Sequence, residues 1–121
     1  YTGYAAKGAE AMTIITNDAW WGDTPGYRQH LSYAALRAIE TRRSIARCAN
    51  TGISAIIDQR GEIVAKTDWW EKDVLRGYIN KNDGLTFFVR HGDVTGRICN
   101  LVFWLLLAAL VVGMMTRRQR R

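Results

Sequence analysis

Apolar and polar positions follow two rhythms along this chain, and then the alternation stops. Residues 12–16, Met-Thr-Ile-Ile-Thr, are short, apolar and β-branched, which predicts a buried strand. From 27 to 43 the period lengthens: Leu31, Ala34, Ala35, Ala38 and Ile39 recur at helical spacing, with Arg37, Glu40 and Thr41 on the other side. The small alanines let such a helix lie close against a sheet. Short apolar runs then return at 44–49 and 53–57, separated by the turn Asn50-Thr51-Gly52. Asp58-Gln59-Arg60-Gly61 folds the second run back into 62–65, and 74–79 reads as a last strand. Residues 1–11, rich in alanine, predict the end of a helix that begins further upstream. Asp23-Thr24-Pro25-Gly26 and 80–84 are loops, and 85–96 is an irregular aromatic connector. One strand, a helix and further strands, with no internal repeat, predict a layered α/β domain.

Residues 98–116 carry no charge, and Asn100 is their only strongly polar side chain. As a helix they would be about 28 Å long, the thickness of a bilayer's hydrocarbon core. A buried helix of that length would show a polar stripe, and this one has none, so a transmembrane helix is expected. Arg117, Arg118, Arg120 and Arg121 follow it and Arg97 precedes it, which predicts a cytoplasmic carboxyl terminus.

Net charge changes the picture less than its value suggests. The formal +6 comes from 17 basic and 11 acidic residues. Setting aside the five arginines that flank the apolar segment leaves 12 basic against 11 acidic, too even to make a basic face that tracks phosphates. Nucleic acid is therefore excluded as a partner. Cys48 and Cys99 lie in unlike settings without metal-ligand spacing, and neither a metal nor a cofactor is expected.

The candidate chemistry gathers where the first strand ends, at Asn17-Asp18-Ala19-Trp20-Trp21-Gly22. Asn17 and Asp18 can turn the chain with their own side chains. Two tryptophans beside an amide give the flat apolar area and polar handle of a pocket wall; equally, they are consistent with a core strand followed by structural tryptophans. Trp69-Trp70, among charges, suits either packing or a membrane interface. His30 is expected to cap or pack the start of the long helix, and Arg42-Arg43 to form its solvated end.

Asn17-Asp18-Ala19-Trp20-Trp21-Gly22, Gln29-His30-Leu31, Arg37-Ala38-Ile39-Glu40-Thr41-Arg42-Arg43 and Asn50-Thr51-Gly52-Ile53-Ser54 follow one another in an order that resembles the nitrilase (carbon–nitrogen hydrolase) superfamily. Within it the chain is most similar to the membrane-embedded branch, the apolipoprotein N-acyltransferases. Leu85-Thr86-Phe87-Phe88-Val89-Arg90-His91-Gly92-Asp93 looks like that branch's connector, with departures at Phe88 and His91. The resemblance implies the carboxyl-terminal part of an α-β-β-α sandwich over 1–80, a connector over 81–97, the transmembrane helix over 98–116 and a basic tail over 117–121. It also implies a Glu–Lys–Cys triad lying upstream of residue 1, so no catalytic residue is expected in this chain. Cys48 falls where the pattern carries a small residue, and nothing basic is placed to activate it. The implied reaction takes an acyl chain from a phospholipid donor onto the cysteine as a thioester. The α-amino group of a diacylglyceryl-cysteine lipoprotein then accepts it. Asn17, Trp20 and Trp21 become the substrate-binding candidates. The implied setting is the bacterial inner membrane, as a monomer, with the α/β part in the periplasm. Two other readings stay open: another membrane-anchored carbon–nitrogen hydrolase that cleaves a small amide, and a non-catalytic membrane-anchored interaction protein.

Overall fold

The computed structural model describes residues 1–119, with side chains as far as Arg117. Arg120 and Arg121 of the expected basic tail lie outside the described residues. The chain forms two compact units, Tyr1–Arg90 and His91–Arg121.

The first unit is α/β. After a short helix, α1 (Thr2–Ala6), strand β1 (Met12–Asn17) leads through one 3₁₀ turn, Ala19–Trp21, into helix α2 (Gly26–Thr41). Strands β2 (Ile45–Asn50), β3 (Ala55–Ile57) and β4 (Ile63–Lys66) follow, and a short helix α3 (Phe87–His91) closes the sequence. The four strands stand in chain order in one sheet. β1 and β2 are parallel, Met12 opposite Ile45 and Asn17 opposite Asn50, and α2 is the crossover that a parallel pair requires. β3 and β4 add on as antiparallel hairpins, with a register irregularity between Ile56 and Ile57.

Helix α2 buries Tyr27, Leu31, Ala34, Ala38 and Thr41, a stripe at spacings of three and four. That stripe forms a core with Met12, Ile45, Ala55, Ile57 and Ile53. Arg42, in the left-handed conformation, ends the helix. Thr41 departs from the expected pattern: it is buried, its hydroxyl donating back to Arg37 O at 2.7 Å, which satisfies the group where a polar face was expected. Ile39 is half-exposed, lying over the β3–β4 turn, where a Cβ on Gly61 would come within 2.6 Å of its Cγ1.

Three expectations are corrected. Residues 74–79 form no strand, and Val74 is 90% exposed. A strand needs a partner edge; this segment instead crosses the sheet's open face, where Gly77 sits against Ile56 so closely that a Cβ would lie 2.8 Å from its Cγ1. The amino-terminal helix is five residues long rather than reaching residue 11. Arg43 is not a solvated helix end but wholly buried: Nε donates to Ala9 O at 2.6 Å, and Nη1 to Thr41 O and Gly84 O at 3.0 and 2.9 Å. Carbonyls left over at chain turns accept what solvent would otherwise take.

The opposite face of the sheet is turned away from α2. Ile15 there is 88% exposed, beside Cys48 and Ile56, in a groove of about 550 Å³ whose far wall is Val74 and Leu75.

In the second unit, helix α4 (Val94–Gln119) continues for 26 residues, about 39 Å at the usual rise. Apart from Asn100, its side chains from Ile98 to Met115 are apolar and largely exposed, and Thr116 returns its hydroxyl to Val112 O at 3.0 Å. It is the one helix among the described residues long and apolar enough to cross a membrane.

Candidate functional site

The carboxyl ends of β1 and β2 are the place to build from, because in parallel sheets ligands collect outside the carboxyl ends of the strands. Asn17 and Asn50 finish the two strands in register, and Asn50 Nδ2 donates to Asn17 Oδ1 at 3.4 Å. The same oxygen accepts the Ala19 N–H at 3.1 Å, so Asn17 turns the chain out of the strand.

Asp18, the next residue, does something else. Its carboxylate points inward and is 1% exposed. Arg47 Nη2 on β2 donates to Oδ2 at 2.6 Å, and both side chains are fully shielded from water. His30 Nδ1, from the second turn of α2, lies 2.9 Å from Oδ1 and Thr16 Oγ1 donates to it at 3.2 Å. A carboxylate only accepts, so Nδ1 carries the proton in that contact. Arg47 also reaches Ile53 O at 3.4 Å, and its Nε has no partner. The turn at 51–53 is moulded on this cluster: a Cβ at Gly52 would sit 2.2 Å from Asp18 Oδ2. One buried ion pair thus joins β1, β2, the start of α2 and the turn that follows β2.

The sequence pattern missed this cluster. His30 was expected to cap or pack the helix start, and the partner its ring nitrogen finds there is Asp18. The available signal was Arg47 itself. In β2, Ile45 and Arg47 share the buried face, and a guanidinium on that face demands a carboxylate, which Asp18 supplies.

Beside His30 lies a cavity of about 390 Å³ walled by Tyr1, Ile14, Tyr33, Arg37 and Arg47. Burial pushes the Tyr1 phenol above its ordinary range, opposed by the charges of Arg47 and Arg37. Arg37 is itself paired with Glu40 one turn on.

Trp20 and Trp21 stand outside those walls, on the 3₁₀ turn. Trp20 is 86% exposed and Trp21 47%. Trp21 covers Gly26, where a Cβ would lie 2.5 Å from its ring; only glycine lets the indole settle there. The next residue, Tyr27, stacks on Trp69 at 5.0 Å, and Trp69 meets Trp70 at 5.3 Å. Aromatic side chains thus follow one another from the β1 end to the segment after β4, with Tyr27 buried between the exposed Trp21 and Trp70. Cys48 and Cys99 are free and exposed, and no group of metal-ligating side chains occurs among the described residues.

Curated relatives match this chain along most of its length. An apolipoprotein N-acyltransferase of Chlorobaculum tepidum is 38% identical over 96 residues, covering 79% of this chain and 18% of the relative. Those of Geobacter metallireducens and Bdellovibrio bacteriovorus are 38% and 37% identical, covering 96% and 98% of this chain but 21% and 22% of their own lengths. The chain thus spans about a fifth of the relatives it matches. The carbon–nitrogen hydrolase pattern itself matches residues 1–84, the α/β part up to the loop before α3. With the sheet, the crossover helix and this match in agreement, the chain belongs to the carbon–nitrogen hydrolase family.

Proposed function

We propose that this chain is the carboxyl-terminal part of an N-acyltransferase that moves an acyl chain from a phospholipid to the amino-terminal diacylglyceryl-cysteine of lipoproteins. The observation that carries the proposal is the reach of the similarity. Relatives named apolipoprotein N-acyltransferase match 96% and 98% of the chain, so the likeness continues past residue 84 into the apolar helix, where the family pattern has stopped.

In the proposed reaction a cysteine thiolate, contributed by sequence upstream of this segment together with a glutamate and a lysine, attacks the ester carbonyl of the phospholipid. The lysophospholipid alcohol leaves and a thioester remains. The lipoprotein's α-amine then attacks the thioester, an amide forms and the thiol returns. Keeping water out protects the thioester from hydrolysis between the two steps. This segment supplies one wall. Trp20 and Trp21 offer exposed apolar area for the acyl chain, and Asn17, fixed by Ala19 and Asn50, holds their loop. The Asp18–Arg47 pair fixes the strand end from which that loop departs. The uncovered sheet face with Ile15 supports a second layer over it, as the sandwich architecture requires. The α/β unit is assigned to the periplasmic side of the inner membrane and the carboxyl terminus to the cytoplasm, in a monomer.

The test is mass spectrometry of the full-length protein after incubation with phospholipid, then with a diacylglyceryl-cysteine peptide. An acyl adduct on a single cysteine that the peptide discharges as an amide is the expected result. Release of ammonia from a small amide without any acyl adduct would instead establish an amidase.

A further inference from the structure

The aromatic series at the carboxyl end of the sheet ends on a residue with an unusual backbone. Trp70 has φ 64°, and Thr51, whose carbonyl accepts the Trp70 N–H at 3.0 Å, has φ 60°. Left-handed backbone is uncommon for threonine and a true outlier for a bulky ring. Two such residues joined by one hydrogen bond mark a place where surrounding structure dictates the conformation, and strain of this kind clusters at functional sites. Arg42, at φ 51°, differs, because a helix end is where left-handed geometry is ordinary.

The side chains show what this conformation achieves. Trp69 turns inward and stacks on Tyr27, whereas Trp70 is left 57% exposed. Packing alone would bury the second indole; here it is held out in water. Thr51 follows Asn50, which is bonded to Asn17, so the strain sits one residue from the amide pair that closes the two parallel strands. Trp70 thereby extends the series that begins with Trp21 over Gly26 and continues through Tyr27 and Trp69.

We infer that Trp70 is a second aromatic wall of the acyl site, a specificity-determining residue that favours long acyl chains over short ones. The inference rests on the acyl-transfer reading above. The inward Tyr27–Trp69 stack, at 5.0 Å, underlies the place and leaves Trp20, Trp21 and Trp70 as its exposed rings, an open aromatic margin that suits an extended hydrocarbon chain and not a compact amide. A lipid surface fits less well. Asp68, Glu71 and Asp73 surround the pair with only Lys72 against them, and acidic flanks are repelled by anionic headgroups.

The experiment measures thioester formation in a single turnover by the full-length protein, with a short-chain and a long-chain phospholipid in the same detergent. Trp70→Ala should lose about ten- to a hundredfold with the long-chain donor, the worth of one large apolar contact, and little with the short-chain donor. Trp70→Phe should keep most of the discrimination. Trp70→Leu reads the same ratio of donors should Trp70→Ala fail to fold. A wild-type ratio in all three variants, or equal loss on both donors, overturns the inference and leaves acyl transfer standing. Loss seen with vesicles but not in detergent also overturns it, making Trp70 a surface anchor. Absence of any thioester in the unaltered protein, by contrast, removes the acyl-transfer reading itself.

Discussion

Arg47 Nη2 lies 2.6 Å from Asp18 Oδ2, and neither side chain touches water. Such a pair contributes little net stability over an apolar substitute, because desolvation offsets most of the attraction. Breaking it is another matter. Arg47→Ala leaves a buried carboxylate with only His30 and Thr16 beside it, and Asp18→Ala leaves a buried guanidinium. Each should destabilise the protein by about 3–5 kcal/mol. The double change Asp18→Leu, Arg47→Met should recover much of that loss, as measured by denaturant unfolding. Equal losses in single and double variants would mean that the charges are needed for more than each other.

Gly52 reports on the same cluster from the other side. Its missing Cβ would lie 2.2 Å from Asp18 Oδ2, and that carboxylate cannot retreat because Arg47 holds it. Gly52→Ala should therefore cost about 1–3 kcal/mol through overpacking. Gly3→Ala, with nothing within 4 Å of the added carbon, should not destabilise and is the control. Comparable midpoints for the two variants would show that the turn at 51–53 relaxes freely.

These two predictions rest on residues that the pattern of the sequence leaves obscure, and the reason is physical. β1, α2 and the apolar helix were legible because each carries its own period, and the partner each needs is any apolar surface. Arg43 and Arg47 were not, because a buried charge is defined by long-range partners. Arg43 uses carbonyls as far off as Ala9 and Gly84, and Arg47 a carboxylate one strand away. Residues 74–79 have the composition of a strand, but composition does not reveal whether an edge is free to receive it. Asn17 was read as a turn-former and is one; its neighbour Asp18, read the same way, faces the core.

The proposed orientation of the apolar helix rests on charge. Four arginines follow residue 116, and Arg97 alone directly adjoins the other end of the span. A phosphatase reporter fused after Arg121, active only when exported, should be silent, and a fluorescent reporter that matures only in the cytoplasm should be bright. The opposite pair of signals would invert the proposed topology.

Cys48 and Cys99 are free and exposed, and in the proposed reaction neither of them is the acylated cysteine. Cys48→Ala and Cys99→Ala together should leave acyl transfer by the full-length protein unchanged. This segment alone should acylate nothing. Turnover by the isolated segment carrying both substitutions would sink the mechanism, because no thiol would remain to hold the acyl chain.

Trp20 and Trp21 separate a pocket wall from a packing role by where their loss is felt. Deleting a buried tryptophan costs about 3–5 kcal/mol of folding stability. Trp20 is 86% exposed, so Trp20→Ala should unfold at the wild-type temperature while its thioester accumulates poorly with phospholipid. Trp21 covers Gly26 and is half-exposed, so Trp21→Ala should lose some stability as well. Asn17→Ala should lower both properties together, because Oδ1 accepts from Ala19 and Asn50 and its loss loosens the loop carrying both rings. Thermal unfolding and acyl-enzyme formation measured on the same preparations decide the matter. Normal acylation by Trp20→Ala would remove that ring from the acyl site. A stability loss in Trp20→Ala as large as that of a core tryptophan would show that its exposed face is covered in the full-length fold, and that the ring packs rather than binds.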